Sequence, residues 1–363
     1  MISKKNILIC PLDWGIGHAT RCVPIIKKLL AEDVNVVIAA SNRPLSFLKR
    51  EFPNQGFIDF PGYAIRYPAT GRMTIKMILS APMILQGIWR ENRILKKIIH
   101  DKKIDIVISD HRYGLWNKKI KTIFITHQLM IKCPSGLRYI EPLLRKINRH
   151  FICKYDECWV PDYEGEKNFS GDLSHLKKIP FPVFFIGPLS RFDAKSPSEI
   201  SQTSSLKKHD LMFVLSGPEP QRTILEEKIF HQLQGTEYKT LVLLGKTEEN
   251  NHYFISENIE VFSHLESEEL RNYIVQSSLI ICRPGYSSIM DLATLNKKAV
   301  FIPTPGQTEQ EYLAKYFLEN NIAYCMKQDQ FNLKAAIEKS LPFTGLKFED
   351  SNDSADERIH HLL

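Results

Sequence analysis

Apolar residues fall into short solid runs separated by stretches of helical spacing. Asn6–Cys10, Val34–Ala39, Ile104–Ser109 and Thr122–Ile125 are rich in Ile and Val and predict short buried strands. Between them, Ala19–Leu30, Pro44–Arg50 and Thr74–His100 carry apolar positions three and four apart and predict helices. The theme then restarts. Leu211–Leu215, Thr240–Leu244, Leu279–Cys282 and Ala299–Ile302 predict strands. Pro220–Leu233, Glu266–Val275, Tyr286–Leu295, Thr308–Leu318 and Leu333–Lys339 predict the helices between them. Such alternation predicts an α/β protein of doubly wound parallel sheets with helices on both faces, and the restart predicts two of them. The break falls at Arg191–His209, which is polar, serine-rich and aperiodic. The expected boundaries are a first domain over 1–190, a linker over 191–209, a second domain over 210–345 and a tail over 346–363. The tail's apolar end, Ile359–Leu363, suits a last docking helix.

Composition changes this picture little, and charge changes it more. With 43% hydrophobic and 25% charged residues among 363, the chain has the profile of a globular protein rather than a disordered or fibrous one. Residues 1–190 carry 30 Lys/Arg against 16 Asp/Glu, and residues 191–363 carry 18 against 25. Halves of opposite sign predict different partners. Seven scattered cysteines without a C-x-x-C pair predict free thiols. The start, Met1-Ile2-Ser3-Lys4-Lys5, lacks the pattern of a signal peptide, and the longest apolar stretches fall short of the ~20 residues of a spanning helix. A cytoplasmic location is expected.

In open α/β sheets, ligands sit where strands end and helices begin. Four junctions carry candidate chemistry. After the first strand comes Pro11-Leu12-Asp13-Trp14-Gly15-Ile16-Gly17-His18, where Gly15 and Gly17 predict a tight turn and His18 opens a helix. A helix N-terminus favours the neutral imidazole, the form that acts as general base. After a later strand, Asp110 stands where a carboxylate would orient His18; capping the next helix is its alternative role. His127 follows the next strand again. In the second half, Arg283-Pro284-Gly285-Tyr286-Ser287-Ser288 ends a strand and opens a helix. Free N–H groups, hydroxyls and the helix dipole converge there as an anion site suited to a diphosphate. Asp291 lies one turn in, within reach of ribose hydroxyls, with a Ser288–Asp291 capping box as the competing role. Gln310 and Glu311, past the next strand, suit the hydroxyls of a sugar. No P-loop, metal-ligand spacing or Asp-x-Asp is present, so neither a cofactor nor a metal is expected.

These motifs together resemble the two-domain GT-B glycosyltransferases, closest to the family-28-like, MurG-like branch. The resemblance spans most of the chain, and its specific motifs lie in the second half. It implies two Rossmann-like domains facing a cleft. It also implies diphosphate binding by Tyr286, Ser287 and Ser288, ribose binding by Asp291 and sugar binding by Gln310 and Glu311. Ser216 and Gly217 would form the loop facing the donor, Arg283 and Gly285 its neighbouring turn, and His264 with Leu265 the base contact. Gly15, Gly17, His18 and His127 resemble the acceptor side. The branch usually has Glu where Asp291 stands, Gln where Glu311 stands and G-G-T-G-G-H where this chain has D-W-G-I-G-H. These departures set the chain apart from the peptidoglycan enzyme that typifies the branch.

The resemblance implies an inverting, metal-independent transfer from a nucleotide-diphosphate sugar, in the first place a UDP-sugar, to a hydroxyl of a lipid-linked or other small acceptor. His18 would be the base and Asp110 its orienting carboxylate. A sugar-nucleotide 2-epimerase of the same architecture is the rival enzyme. A non-catalytic binder of nucleic acid or of an anionic surface is the rival outside enzymes. The basic stretches lack an aromatic stacking platform, which argues against nucleic acid. Arg66–Lys103 has nine Lys/Arg against Glu91 and Asp101, and Arg112–Lys154 has ten against Glu141 alone. Interleaved with apolar residues, these cations suit an anionic membrane surface; packing in the core is the alternative fate of the apolar residues.

Overall fold

The structure, a computed structural model, describes residues 4–62, 80–176, 179, 181–192, 208–347 and 354–363. These form two compact units. In chain order the first holds β1 (Asn6–Pro11), α1 (Ile16–Ala31), β2 (Asn35–Ala40), α2 (Asn42–Glu51), β3 (Gly56–Asp59) and α3 (Ala81–Lys102). There follow β4 (Ile106–Asp110), β5 (Lys121–Ile125), α4 (Glu141–Ile152), β6 (Glu157–Val160) and β7 (Val183–Phe185). Its seven strands are all parallel, in the order β3-β2-β1-β4-β5-β6-β7. The second unit holds β8 (His209–Val214), α5 (Gln221–Leu233), β9 (Thr240–Leu243), β10 (His252–Ser256), β11 (Ile259–Phe262) and α6 (Ser267–Gln276). It continues with β12 (Ser277–Cys282), α7 (Tyr286–Thr294), β13 (Ala299–Phe301), α8 (Thr308–Glu319), β14 (Tyr324–Cys325) and α9 (Leu333–Ser340). The order is β10-β11-β9-β8-β12-β13-β14, parallel apart from the antiparallel β10–β11 edge pair. The expected doubly wound α/β architecture is what forms.

Burial explains the solid apolar runs. Ile7, Leu8, Ile9 and Cys10 of β1 are all 0% exposed, as a central strand covered on both faces requires. In the second unit, Phe213, Val242, Ile281 and Val300 of the sheet pack against Leu225, Ile229 and Leu233, which recur every four residues along α5. Each such side chain contributes about 1.5–3 kcal/mol. In both sheets the strand order reverses beside the first strand, between β1 and β4 and between β8 and β12. In this kind of sheet, ligands bind at the carboxyl ends flanking that reversal.

Some boundaries move. The helix expected from Thr74 is seen as α3 from Ala81, and residues 74–79 lie outside those described. Most of the expected linker, 193–207, also lies outside them, and its last residue, His209, already belongs to β8. Leu346, expected in the tail, is fully buried and donates its N–H to Lys297 in the second unit. The rest of the tail ends in α10 (Ser354–Leu362), which belongs to the first unit. There Asp356 pairs with Lys28, while Arg358 donates to Glu157 Oε2 at 2.6 Å and lies 3.6 Å over the Phe184 ring.

Candidate active site

In the first unit the loops leaving β1 and β4 bring the candidate catalytic residues together. His18 sits in the first turn of α1, and Asp110 ends β4, fully buried. His18 Nδ1 lies 3.3 Å from Asp110 Oδ2. No helix follows Asp110, so it caps none. Gly15 is extended at φ 166°, and a Cβ there would meet nothing within 4 Å. The chain bends over residues 13–15 into α1, but an extended φ does not require glycine; what glycine leaves at this position is open space beside the start of α1.

Arg21, one turn beyond His18 on α1 and 2% exposed, was not expected at the site. Its Nε donates to Asp110 Oδ2 at 3.1 Å and its Nη2 to Asp110 Oδ1. It also reaches His18 Nδ1 and His127 Nδ1, each at 2.9 Å. The i, i+3 spacing of His18 and Arg21 was the available signal. His127, expected at the acceptor loop, is 5% exposed and buried against this guanidinium. His111 joins the cluster in a left-handed conformation, φ 60°, its ring 5.6 Å from that of His18 and its Nδ1 3.0 Å from Thr126 Oγ1. Such a backbone in a non-glycine residue is held by its surroundings and is frequent at functional sites.

The cluster's electrostatics follow from burial and charge. Burial alone would raise the Asp110 carboxyl, but the Arg21 guanidinium, then His18, outweigh it and hold the group well below the usual carboxylate range. Burial first, and then the neighbouring His18, His127 and Arg21, push the His111 imidazole well below its ordinary range. A depressed folded-state value means that Asp110 adds stability above the ordinary aspartate range, and that this is lost as pH falls through it. Between about pH 5 and pH 3, the parent chain should therefore lose unfolding free energy more steeply than Asp110→Asn. Urea melts across that range check this; parallel slopes would contradict it.

In the second unit, Gly285 is the N-cap of α7 and, as a glycine, offers that helix no side-chain cap. The cap is not Ser288, so the capping-box role for Ser288 and Asp291 does not arise. Ser287 and Ser288 are half-buried in the first turn, whereas Tyr286 and Asp291 are buried at 4% and 5% exposed. Ser216 and Gly217 are exposed on the loop after β8. Gly217 has φ 103°, which requires glycine, and a Cβ there would lie 3.4 Å from the buried Thr304 hydroxyl. Gln310 and Glu311 fold back onto the loop after β13. Gln310 Oε1 accepts from the Thr304 N–H and Glu311 Oε1 from the Gly306 N–H, both at 2.8 Å. His264 lies 3.7 Å from Glu266 ahead of α6, and Leu265 beside it is buried.

One assignment needs correcting. Arg283, expected to touch the nucleotide, is 1% exposed and donates to the carbonyls of Ile302, Pro303 and Gln221 and to Gln328 Oε1. Its guanidinium ties together the loops after β12 and β13 and the start of α5, so it braces the loops around the start of α7 from behind.

Two doubly wound parallel-sheet units are the architecture of the GT-B class, and sequence comparison agrees. Residues 212–362 match the glycosyltransferase family 28 C-terminal domain, and residues 6–123 match glycosyl transferase family 1. The chain is a glycosyltransferase of GT-B fold carrying a family 28 C-terminal domain. An uncharacterized glycosyltransferase of Methanosarcina mazei is 24% identical over 331 residues, covering 85% of this chain and 81% of the relative. A UDP-N-acetylglucosamine–N-acetylmuramyl-(pentapeptide) pyrophosphoryl-undecaprenol N-acetylglucosamine transferase of Francisella philomiragia is 26% identical over 356 residues, covering 93% and 88%. Among solved structures, the glycotransferase of kitacinnamycin superposes with a TM-score of 0.64 at 13% identity, covering 99% of this chain and 94% of that one, a likeness of fold.

Proposed function

We propose that this glycosyltransferase moves a sugar, with inversion and without a metal ion, from a UDP-type nucleotide-diphosphate sugar to a hydroxyl of a lipid-linked or other small acceptor. The observation that carries the reading is the His18–Asp110 contact at the first unit's switch point. His18 takes the acceptor proton on Nε2, the acceptor oxygen bonds to the anomeric carbon, and the carbon–oxygen bond to the diphosphate breaks. Asp110 stabilises the imidazolium. The leaving diphosphate carries its negative charge to the start of α7, where backbone N–H groups, Ser287 and Ser288 bind it and Asp291 holds the ribose. The name of the Francisella relative specifies a UDP-N-acetylglucosamine donor and a pyrophosphoryl-undecaprenol acceptor, which supports this donor and acceptor class.

Thermal shift against a panel of nucleotide sugars tests the donor side. A ligand at 100 times its Kd stabilises by about 2.7 kcal/mol. A UDP-sugar should raise the melting temperature equally with and without EDTA, and a Ser287→Ala/Ser288→Ala chain should need about tenfold more ligand or greater, since bonds to charged groups contribute about 1.5–3 kcal/mol. A shift abolished by EDTA, or unchanged in the double variant, would contradict the assignment.

A membrane-borne acceptor is supported by the surface of the first unit. Among the described residues, no helix is long and apolar enough to cross a membrane. Of the apolar residues in the first basic stretch, Ile88 is core, but Met83, Leu85 and Trp89 are exposed, Trp89 at 68%; Ile75, Met77, Ile78 and Leu79 lie outside the described residues. Tyr139, Leu143 and Ile147, four residues apart and exposed, are flanked by exposed Arg138, Arg145, Lys146 and Arg149. An apolar stripe edged by cations fits the interface of an anionic bilayer, at about 1 kcal/mol for each cation near the surface. Sedimentation with anionic vesicles should show salt-sensitive binding that Leu143→Asp/Ile147→Asp reduces at least about tenfold, two exposed apolar anchors being lost. Equal sedimentation of both proteins would remove the membrane from the proposal.

A further inference from the structure

Arg21 donates at once to a carboxylate and to two imidazoles. Nε–H and one Nη2–H go to the two oxygens of Asp110, the other Nη2–H goes to His18 Nδ1 at 2.9 Å, and an Nη1–H goes to His127 Nδ1 at 2.9 Å. A guanidinium has only donors and keeps its proton in proteins, so a ring nitrogen facing it at that distance presents a lone pair. In this arrangement the neutral His18 ring carries its proton on Nε2. The other contact of the same Nδ1, 3.3 Å from Asp110 Oδ2, demands the opposite. A carboxylate only accepts, so that bond exists only when Nδ1 carries the proton. The two contacts are alternatives, and only the second leaves Nε2 with a lone pair to take a proton from an acceptor hydroxyl.

We infer that Arg21 is a positioning residue that selects the tautomer of His18. In the free protein it holds the ring with its proton on Nε2, and the ring becomes a base when Nδ1–H turns to Asp110. The inference rests on the assignment of His18 as the base. Arg21 is built for the task. At 2% exposed, with Asp110 at 0%, it faces little competition from water. Its Nε and Nη2 keep both Asp110 oxygens occupied whichever way the ring tilts, and His127 holds the far side of the fork. The exchange moves one ring nitrogen between two neighbours 2.9 and 3.3 Å away. The proton passes between ring nitrogens through solvent, which the 22% exposed His18 side chain reaches. After His18 has accepted the acceptor's proton, both ring nitrogens carry hydrogen. Arg21 then faces a second cation, Asp110 is left as the attractive partner, and loss of the Nδ1 proton to solvent returns the ring to Arg21.

The test reads tautomers directly. The full chain, labelled with nitrogen-15 histidine and held at alkaline pH where imidazoles are neutral, gives distinct long-range proton–nitrogen patterns for the two forms; loss of one pattern in His18→Gln assigns the signal. The unaltered chain should show the Nε2–H pattern for His18. In Arg21→Lys, an ammonium still neutralises Asp110 but lacks the planar fork, and the ratio should invert towards Nδ1–H. An Nδ1–H pattern already present in the unaltered chain overturns the proposal, as does an Nε2–H pattern that persists in Arg21→Lys. Should that variant not fold, scalar coupling across the hydrogen bond between Arg21 Nη2 and His18 Nδ1 in the unaltered chain decides: coupling supports the proposal and its absence overturns it. No substrate is involved, so the outcome is separable from the base assignment, which turnover of His18→Ala decides.

Discussion

His18→Ala should lower kcat by about 10²–10⁴-fold while changing donor Kd by no more than about twofold, because general-base catalysis acts on the transition state alone. The candidate base and the start of α7 belong to different units. Loss of an imidazole from the first unit therefore leaves the amides and hydroxyls of the second untouched. Residual activity is expected, since leaving-group stabilisation and orientation of the reactants remain. His18→Gln should fall as far, because an amide has no basic nitrogen. Steady-state rates with saturating donor, set beside donor affinity by calorimetry, separate the two quantities. Equal loss of turnover and donor affinity would remove His18 from the base position and make it a donor-binding residue.

The legible part of this molecule is the part governed by periodicity. Solid Ile/Val runs such as Asn6–Cys10 and Leu279–Cys282 became central strands because burial on both faces tolerates no alternation. The segments that escaped notice include the 12-residue α4, whose apolar residues sit among exposed cations, and several strands. β6 and β7 have four and three residues without the solid Ile/Val runs that marked β9 and β13, and β10 is an antiparallel edge strand exposed along its length. Loop chemistry was legible at the level of which junctions matter. His18, Asp110 and the Gly285–Ser288 turn lie where the sheets reverse order, as strand-to-helix punctuation indicated. What each side chain touches was less so. Arg283 sits inside a promising motif but hydrogen-bonds to the loop after β13 and the start of α5, and Gln310 bonds to the loop ahead of its own helix, while Arg21, an ordinary-looking helix residue, is the hub of the buried cluster. Long polar side chains reach several ångströms, and sequence spacing fixes their backbone position without fixing their partner.

Arg283 leads to the largest expected loss of stability. Burial pushes its guanidinium down to about 10, so it is still charged at neutral pH, and its cost is offset by acceptors at 2.9 Å from Ile302, 3.1 Å from Pro303 and 3.0 Å from Gln221. Replacing a buried charge by a well-packed apolar residue is often neutral when its partners are replaced with it. Here the partners are chiefly main-chain carbonyls, which no side-chain substitution removes. Arg283→Met should therefore leave several buried acceptors unpaired at about 1–3 kcal/mol each, a total on the order of 3 kcal/mol or more. Gln328→Met, which removes the acceptor for one Arg283 N–H and the 2.9 Å link from Gln328 to Gln221 Oε1, loses two bonds of about 1 kcal/mol each and should cost less than Arg283→Met. Donor affinity should fall with Arg283→Met as well, because the guanidinium sets the spacing of loops that flank the start of α7. Chemical denaturation followed through the second unit's signal, with nucleotide affinity measured below the transition, tests both effects. A loss under about 1 kcal/mol would mean that water or neighbouring N–H groups take over the stranded carbonyls. Unchanged stability with lost affinity would instead return Arg283 to direct contact with the nucleotide.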